Sequence, residues 1–179
     1  ASANIHDSHT IRKLYSGWMK HLDRKEFEVI VFYLGDKLES NLQEICNVSE
    51  RVIVGWRGVA DMVSVIQKSN LDCLIYPDIG MSPRVQLLAA LRLAPIQCVA
   101  WGHPLTTGLQ SVDYFLSSEL MEPDGADAHY HEKLVRLPNL SIYYEQPDTS
   151  DMRPPMGYIN DGLPTFLCSQ SLYKLLPQF

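Results

Sequence analysis

The chain is short of what would mark it as a nucleic-acid binder, a membrane protein or a disulfide scaffold. Its 15 Lys and Arg are outnumbered by 21 Asp and Glu, giving a net charge of -6 with no basic stripe. That balance argues against a polyanion-binding or anionic-membrane surface. The apolar runs stop far short of the roughly 20 residues a membrane span needs, and no signal-peptide pattern opens the chain. Neither nucleic acid nor membrane is therefore expected as a partner, and a cytoplasmic location is. Only four cysteines occur, Cys46, Cys73, Cys98 and Cys168, with no C-x-x-C spacing. Three of them lie in or beside apolar strand-like runs, so reduced core residues are expected rather than a disulfide frame or a zinc site. Several catalytic signatures are missing too. There is no G-x-G-x-x-G, no P-loop lysine beside "GHPLTTG", and no G-x-S-x-G elbow of a serine hydrolase.

What is present is the composition of a globular core. Hydrophobic residues make up 46% and charged residues 20% of 179 positions, enough for one domain and a fragment of a second. In "SHTIRKLYSGWMKHLD" the apolar positions Ile11, Leu14, Tyr15, Trp18, Met19 and Leu22 recur at helical spacing, with Ser8 as the expected N-cap. "FEVIVFYL" is β-branched and aromatic and reads as a strand. A weaker helix is expected around Leu38 to Cys46, then a short strand "RVIV" and a helix over "RGVADMVSVIQKSN". "LDCLIYP" reads as a strand, "PRVQLLAALRL" as a helix with Pro83 at its first position, and "APIQCVAWG" as another strand. "VDYFLSS", a short polar helix in "DGADAHYHEKL", and a last strand "VRLP" complete the pattern.

Strands thus alternate with helices, and most are apolar on both faces, which predicts a parallel sheet covered on both sides. Ligands of such sheets gather outside the carboxyl ends of the strands. Three loops fall there: "ANIHDSH", "DIGMSP" and "GHPLTTG". The glycines and hydroxyls of the last stand where a site is built, although a plain polar loop fits them equally well. His9 opens the first helix at this edge, where the helix dipole favours a neutral imidazole; a second capping residue is the other reading. His129 and His131 in "HYH" read as solvated, since their spacing chelates a metal poorly on a helix. Residues 145–164, with four prolines and two glycines, read as a linker. After it, "TFLCSQSLYKLLPQF" reads as a strand and a first helical turn, the opening of a second domain. Lys174 there could meet a phosphate or be a surface lysine. "ASANI" reads as the tail of a strand.

The ordered motifs "RLAPIQ", "WGHPLTTG", "VDYFLSS" and "EKLVRLP", with "SHTIRKLYSGW" before them and "FLCSQSLYKLLP" after, resemble the catalytic region of the O-GlcNAc transferase (SPINDLY-like) family, especially its bacterial members. The resemblance covers nearly the whole chain. It implies an α/β, Rossmann-like N-terminal lobe of a two-lobed GT-B glycosyltransferase over 1–144, the linker 145–164, and the start of a nucleotide-sugar-binding lobe at 165–179. It further implies transfer of N-acetylglucosamine from UDP-GlcNAc, or of another sugar from its UDP derivative, to Ser or Thr hydroxyls of a protein or peptide, with inversion and with neither metal nor cofactor. By the same resemblance His9 and Lys174 are catalytic, Gln170 and Lys174 bind the donor, and His103, Pro104, Thr106, Thr107 and Gly108 line the cleft. The chain departs from animal members at Asp72, where they carry a histidine. A cytoplasmic N-glucosyltransferase acting on asparagine and a non-catalytic Rossmann-like module are the alternatives.

Overall fold

The computed structural model describes residues 1–5, 9–35, 42–146 and 149–150. The chain divides after Glu145 into two compact units. The elements of the first unit are α1 (Thr10–His21), β1 (Ile30–Phe32), α2 (Leu42–Asn47), β2 (Arg51–Ile53), α3 (Val59–Lys68), β3 (Cys73–Tyr76), α4 (Pro83–Ala89), β4 (Ile96–Ala100), β5 (Tyr114–Ser118) and β6 (Lys133–Leu137). All paired strands are parallel: β1 with β2, and β3, β4, β5 and β6 in that order.

The two ribbons are joined by the first residues of the chain. Ser2 bridges to Tyr33 in parallel; its amide donates to Phe32 O at 3.0 Å and its carbonyl accepts from Leu34 N at 2.7 Å. On the other side the Ala1 nitrogen donates to Ile75 O at 2.7 Å. The order across the molecule is therefore β2, β1, the Ala1–Ser2 segment, β3, β4, β5, β6. The strand order reverses at that segment, which makes it the topological switch point of a doubly wound sheet.

Side-chain alternation explains the two layers. Phe32, Leu74, Tyr76, Val99 and Phe115 bury one face against Met62 and Ile66 of α3 and Val85 and Leu88 of α4. The opposite face receives α1 through Ile11, Leu14 and Tyr15 against Ala100, and Ile45 of α2 against Val31 and Tyr33. Each fully buried side chain of this size stabilises the fold by about 1.5–3 kcal/mol. Gln97 is a polar exception, wholly buried. It accepts from Leu93 N at 3.1 Å and donates to Leu91 O at 3.0 Å and Ser111 O at 2.7 Å, tying the α4–β4 turn to the approach of β5.

Four expectations change. The cap of α1 is His9, whose Nδ1 accepts from Ile11 N, whereas Ser8 lies outside the described residues. The polar helix before β6 is a single 3₁₀ turn, Ala126–His129, because four residues between Gly125 and the extended Tyr130 are too few for an α-helical turn to propagate. Cys46 on α2 and Cys73 on β3 are exposed, and among the described residues only Cys98 is buried. Cys73 is open because α1 covers only the carboxyl half of its face, so the amino-terminal ends of β3 and β4 stay uncovered there, as Ile96 at 43% exposure also shows. Cys168 lies outside the described residues, as do Lys174, Gln170 and most of the proline-rich segment. The strand within "FEVIVFYL" is also shorter than its pattern, Ile30–Phe32.

Candidate functional site at the switch point

Three segments meet at the carboxyl edge beside the switch point: Ala3–Ile5, the turn after β3, and the exit of β4. Asp78, in the turn after β3, is fully buried. Its Oδ2 accepts from Ser2 Oγ (3.0 Å), Ala3 N (3.1 Å), Asn4 N (3.1 Å) and Asn4 Nδ2 (2.7 Å). Its Oδ1 has no hydrogen-bond partner among the described residues. A buried carboxylate oxygen left without a donor is costly, so Oδ1 has room for a further donor from water or a ligand.

The exit of β4 is pressed onto the same turn. A Cβ on Gly102 would stand 2.2 Å from Pro77 O and 2.6 Å from Ile11 Cδ1, so only glycine lets this backbone lie against β3 and α1. Gly80 has φ +91, and a Cβ there would fall 2.5 Å from His103 Cδ2. The His103 ring therefore lies on bare backbone. Tyr15 of α1 packs beside Gly102, and burial pushes its phenol well above the ordinary value. Trp18 and Trp101 both donate to Ser141, to its carbonyl and its hydroxyl, each at 2.7 Å, which fixes the chain after β6 beside α1.

His9 stands at this edge as the N-cap of α1. Its Nδ1 accepts from Ile11 N at 3.2 Å, and its carbonyl accepts from Arg12 N at 3.2 Å. An imidazole whose Nδ1 accepts is neutral and carries its proton on Nε2. In this conformation His9 is a donor from Nε2.

The "GHPLTTG" loop divides in two. Gly102 and His103 belong to the switch-point edge, and Pro104 and Gly108 are exposed. The threonines reach instead to Glu132, the residue before β6, which is buried. Thr106 Oγ1 donates to Oε2 at 2.7 Å, Thr107 N donates to Oε1 at 2.8 Å, and Thr107 Oγ1 also donates to Oε1. Burial pushes the Glu132 carboxyl up, but the bonds from Thr107 and Thr106 together outweigh it and hold it below the ordinary value. Sequence reading missed Asp78, Asn4 and Glu132. An aspartate directly after a buried strand, in "YPDIG", was the available signal for the first; nothing local marks the other two.

Farther along the edge, a cavity of about 290 Å³ opens at the exits of β1 and β2, lined by Gly35, Gly55, Trp56, Arg57 and Arg84 among others. His129 and His131 are exposed, and no cluster of three or more potential metal ligands exists among the described residues. Among those residues no helix is long and apolar enough to cross a membrane.

A parallel sheet wound on both faces, with its polar groups gathered at the switch point, is a Rossmann-like α/β architecture. A mutant of the O-GlcNAc transferase of Thermobaculum terrenum has this fold: it matches 79% of this chain and 27% of that one with a TM-score of 0.71 at 21% identity. No family model matches the chain. Curated relatives include the "Probable UDP-N-acetylglucosamine--peptide N-acetylglucosaminyltransferase SPINDLY" of Solanum lycopersicum, 23% identical over 176 residues and 96% of this chain. The protein of the same name from Oryza sativa is 24% identical over 177 residues, again 96% of the chain. The "UDP-glucose:protein N-beta-glucosyltransferase" of Actinobacillus pleuropneumoniae serotype 7 is 34% identical over 87 residues, 47% of this chain and 13% of that protein. The chain is thus similar, over nearly its whole length, to SPINDLY and O-GlcNAc transferase-like proteins. It spans 19% of the length of the SPINDLY proteins it matches.

Proposed function

We propose that the chain is the N-terminal lobe, with the opening of the second, of a two-lobed cytoplasmic glycosyltransferase that moves N-acetylglucosamine from UDP-GlcNAc to Ser or Thr hydroxyls of proteins, with inversion and without a metal. The observation that carries this reading is the placement of His9 at the switch-point edge, in a chain matched over 96% of its length by the SPINDLY proteins. A serine or threonine hydroxyl is a poor nucleophile, so the site must orient it and offset the charge that develops as the sugar leaves UDP. His9, with its proton on Nε2, serves as a hydrogen-bond donor that positions sugar or acceptor; a general-base role would require the cap on Ile11 N to be given up first. His103, Pro104, Thr106, Thr107 and Gly108 line the acceptor side in this reading, and Lys174 and Gln170 hold the diphosphate and nucleotide.

The 34% identity to the Actinobacillus enzyme favours a second reading, transfer of glucose to asparagine. One experiment separates the two. The two-lobed enzyme is offered UDP-GlcNAc or UDP-glucose with peptides bearing Ser/Thr or Asn as the acceptor, and products are mapped by mass spectrometry. GlcNAc on a hydroxyl supports the first reading, glucose on asparagine the second, and no transfer from either donor overturns both. Lys174→Ala should lower turnover by roughly two orders of magnitude, as for a lost oxyanion donor. The 179-residue chain alone should be inactive, because most donors aimed at the leaving UDP belong to the other lobe.

A further inference from the structure

Cys73 opens β3 and Cys98 stands in the middle of β4. Strand register pairs Cys73 with Ile96 and Ile75 with Cys98, so the two cysteines are diagonal neighbours on one face of the sheet. Their sulfurs are 3.8 Å apart. Cys73 is exposed and Cys98 is buried, on the open amino-terminal part of the face that α1 does not cover. When two such thiols share one proton, the negative charge settles on the sulfur that water reaches, because burial penalises an ion. The buried S–H then donates toward it. In keeping with this geometry, the Cys98 thiol holds Cys73 down to about 7, and the same contact together with burial pushes Cys98 up.

We propose that Cys73 is a modification site: a nucleophilic thiol, held ready by the buried Cys98, that forms mixed disulfides with low-molecular-weight disulfides of the glutathione class. The Cys73 thiolate attacks one sulfur of the disulfide, and a new S–S bond forms as the old one breaks. The departing thiolate takes a proton from solvent, so Cys73 is oxidised and half of the reagent is reduced. Cys98 does not displace the adduct by closing an internal bridge. With parallel strands about 4.8 Å apart and a rise of about 3.3 Å per residue, a two-residue offset puts the Cα atoms about 8 Å apart, beyond the roughly 7 Å that a disulfide spans without backbone movement.

The test uses the 179-residue chain and oxidised glutathione, with acid quenching and peptide mapping over time. Cys46, exposed on α2, is the reference within the same molecule. Relative to an ordinary thiol, Cys73 should gain about fifteenfold in thiolate fraction at neutral pH, against about fivefold lower intrinsic nucleophilicity. The expected net advantage over Cys46 is about threefold. Cys98→Ala should bring Cys73 down to the rate of Cys46, whereas Cys98→Ser, which keeps a donor and nearly the same volume, should leave it fast. Equal rates at Cys73 and Cys46 in the unsubstituted chain would overturn the proposal. So would an internal Cys73–Cys98 disulfide as the main product, or an unchanged Cys73 rate in Cys98→Ala. Should Cys98→Ala fail to fold, the comparison with Cys46 and the Cys98→Ser rate still decide.

Discussion

Two buried carboxylates sit in loops of the same sheet and are treated in opposite ways. Glu132 has both oxygens occupied by Thr106 and Thr107. Asp78 loads four donors from residues 2–4 onto Oδ2, while Oδ1 has no partner among the described residues. The first arrangement rivets the β4–β5 loop to the start of β6. The second stands at the switch point, beside the helix that His9 opens. A fully satisfied buried charge contributes rigidity, whereas a half-satisfied one retains an unmet demand for a donor. The contrast sets a riveted loop against the edge on which the proposed site stands.

The largest expected effect is on the riveted side. Glu132→Ala leaves the Thr107 amide and two hydroxyls without their acceptor and should cost about 3 kcal/mol in urea unfolding of this chain. A loss under about 1 kcal/mol would mean that the clamp is not what holds the loop.

On the switch-point side, rate should suffer and stability should not. In the two-lobed enzyme, His9→Ala should lower kcat about a hundredfold, in the range of a lost oriented donor, and destabilise the fold by only about 1 kcal/mol through the missing cap. His9→Asn sharpens this point, because asparagine caps a helix well. It should restore the melting temperature without restoring turnover. Recovery of both would reduce His9 to a cap.

Asp78→Asn should be milder than Glu132→Gln, costing about 1 kcal/mol or less. The new amide NH₂ can occupy the Oδ1 position, where no donor stands against it, while either amide orientation at residue 132 turns an NH₂ toward a threonine donor. Equal costs in denaturant titrations would erase the distinction between the two carboxylates.

The smallest effect is in pH. Because the Glu132 pKa is lowered in the folded chain, its contribution is complete above the ordinary glutamate value of about 4.3. It is lost as pH falls through the lower folded value. The stability gap between the unsubstituted chain and Glu132→Gln should thus be constant near neutrality and shrink below about pH 4.5. A gap that widened on acidification would reverse the sign and refute the clamp.

How legible each region was differs for a physical reason. The alternation of helix and strand patterns predicted a parallel sheet covered on both sides, and the apolar spacing of Ile11, Leu14 and Tyr15 predicted the face of α1 that is buried. These are local signals, carried by periods of about 3.6 and 2 residues. Pro83 at the first position of α4 was legible for the same reason. The threonines of "GHPLTTG" were visible as unusual, but their partner is 25 or 26 residues away, and no local pattern names it.

By itself, then, the sequence determined most of the strands and helices of the described residues, that the strands run parallel, and that polar loops gather at the carboxyl edge. Only the tertiary structure decided that Ala1–Ser2 stands between β1 and β3, that Asp78 collects residues 2–4 from across about 75 positions of chain, and that Cys73 meets Cys98. Backbone periodicity is written residue by residue. Which oxygen meets which donor, and which sulfur stays in water, depends on how layers pack around one core and where a covering helix ends.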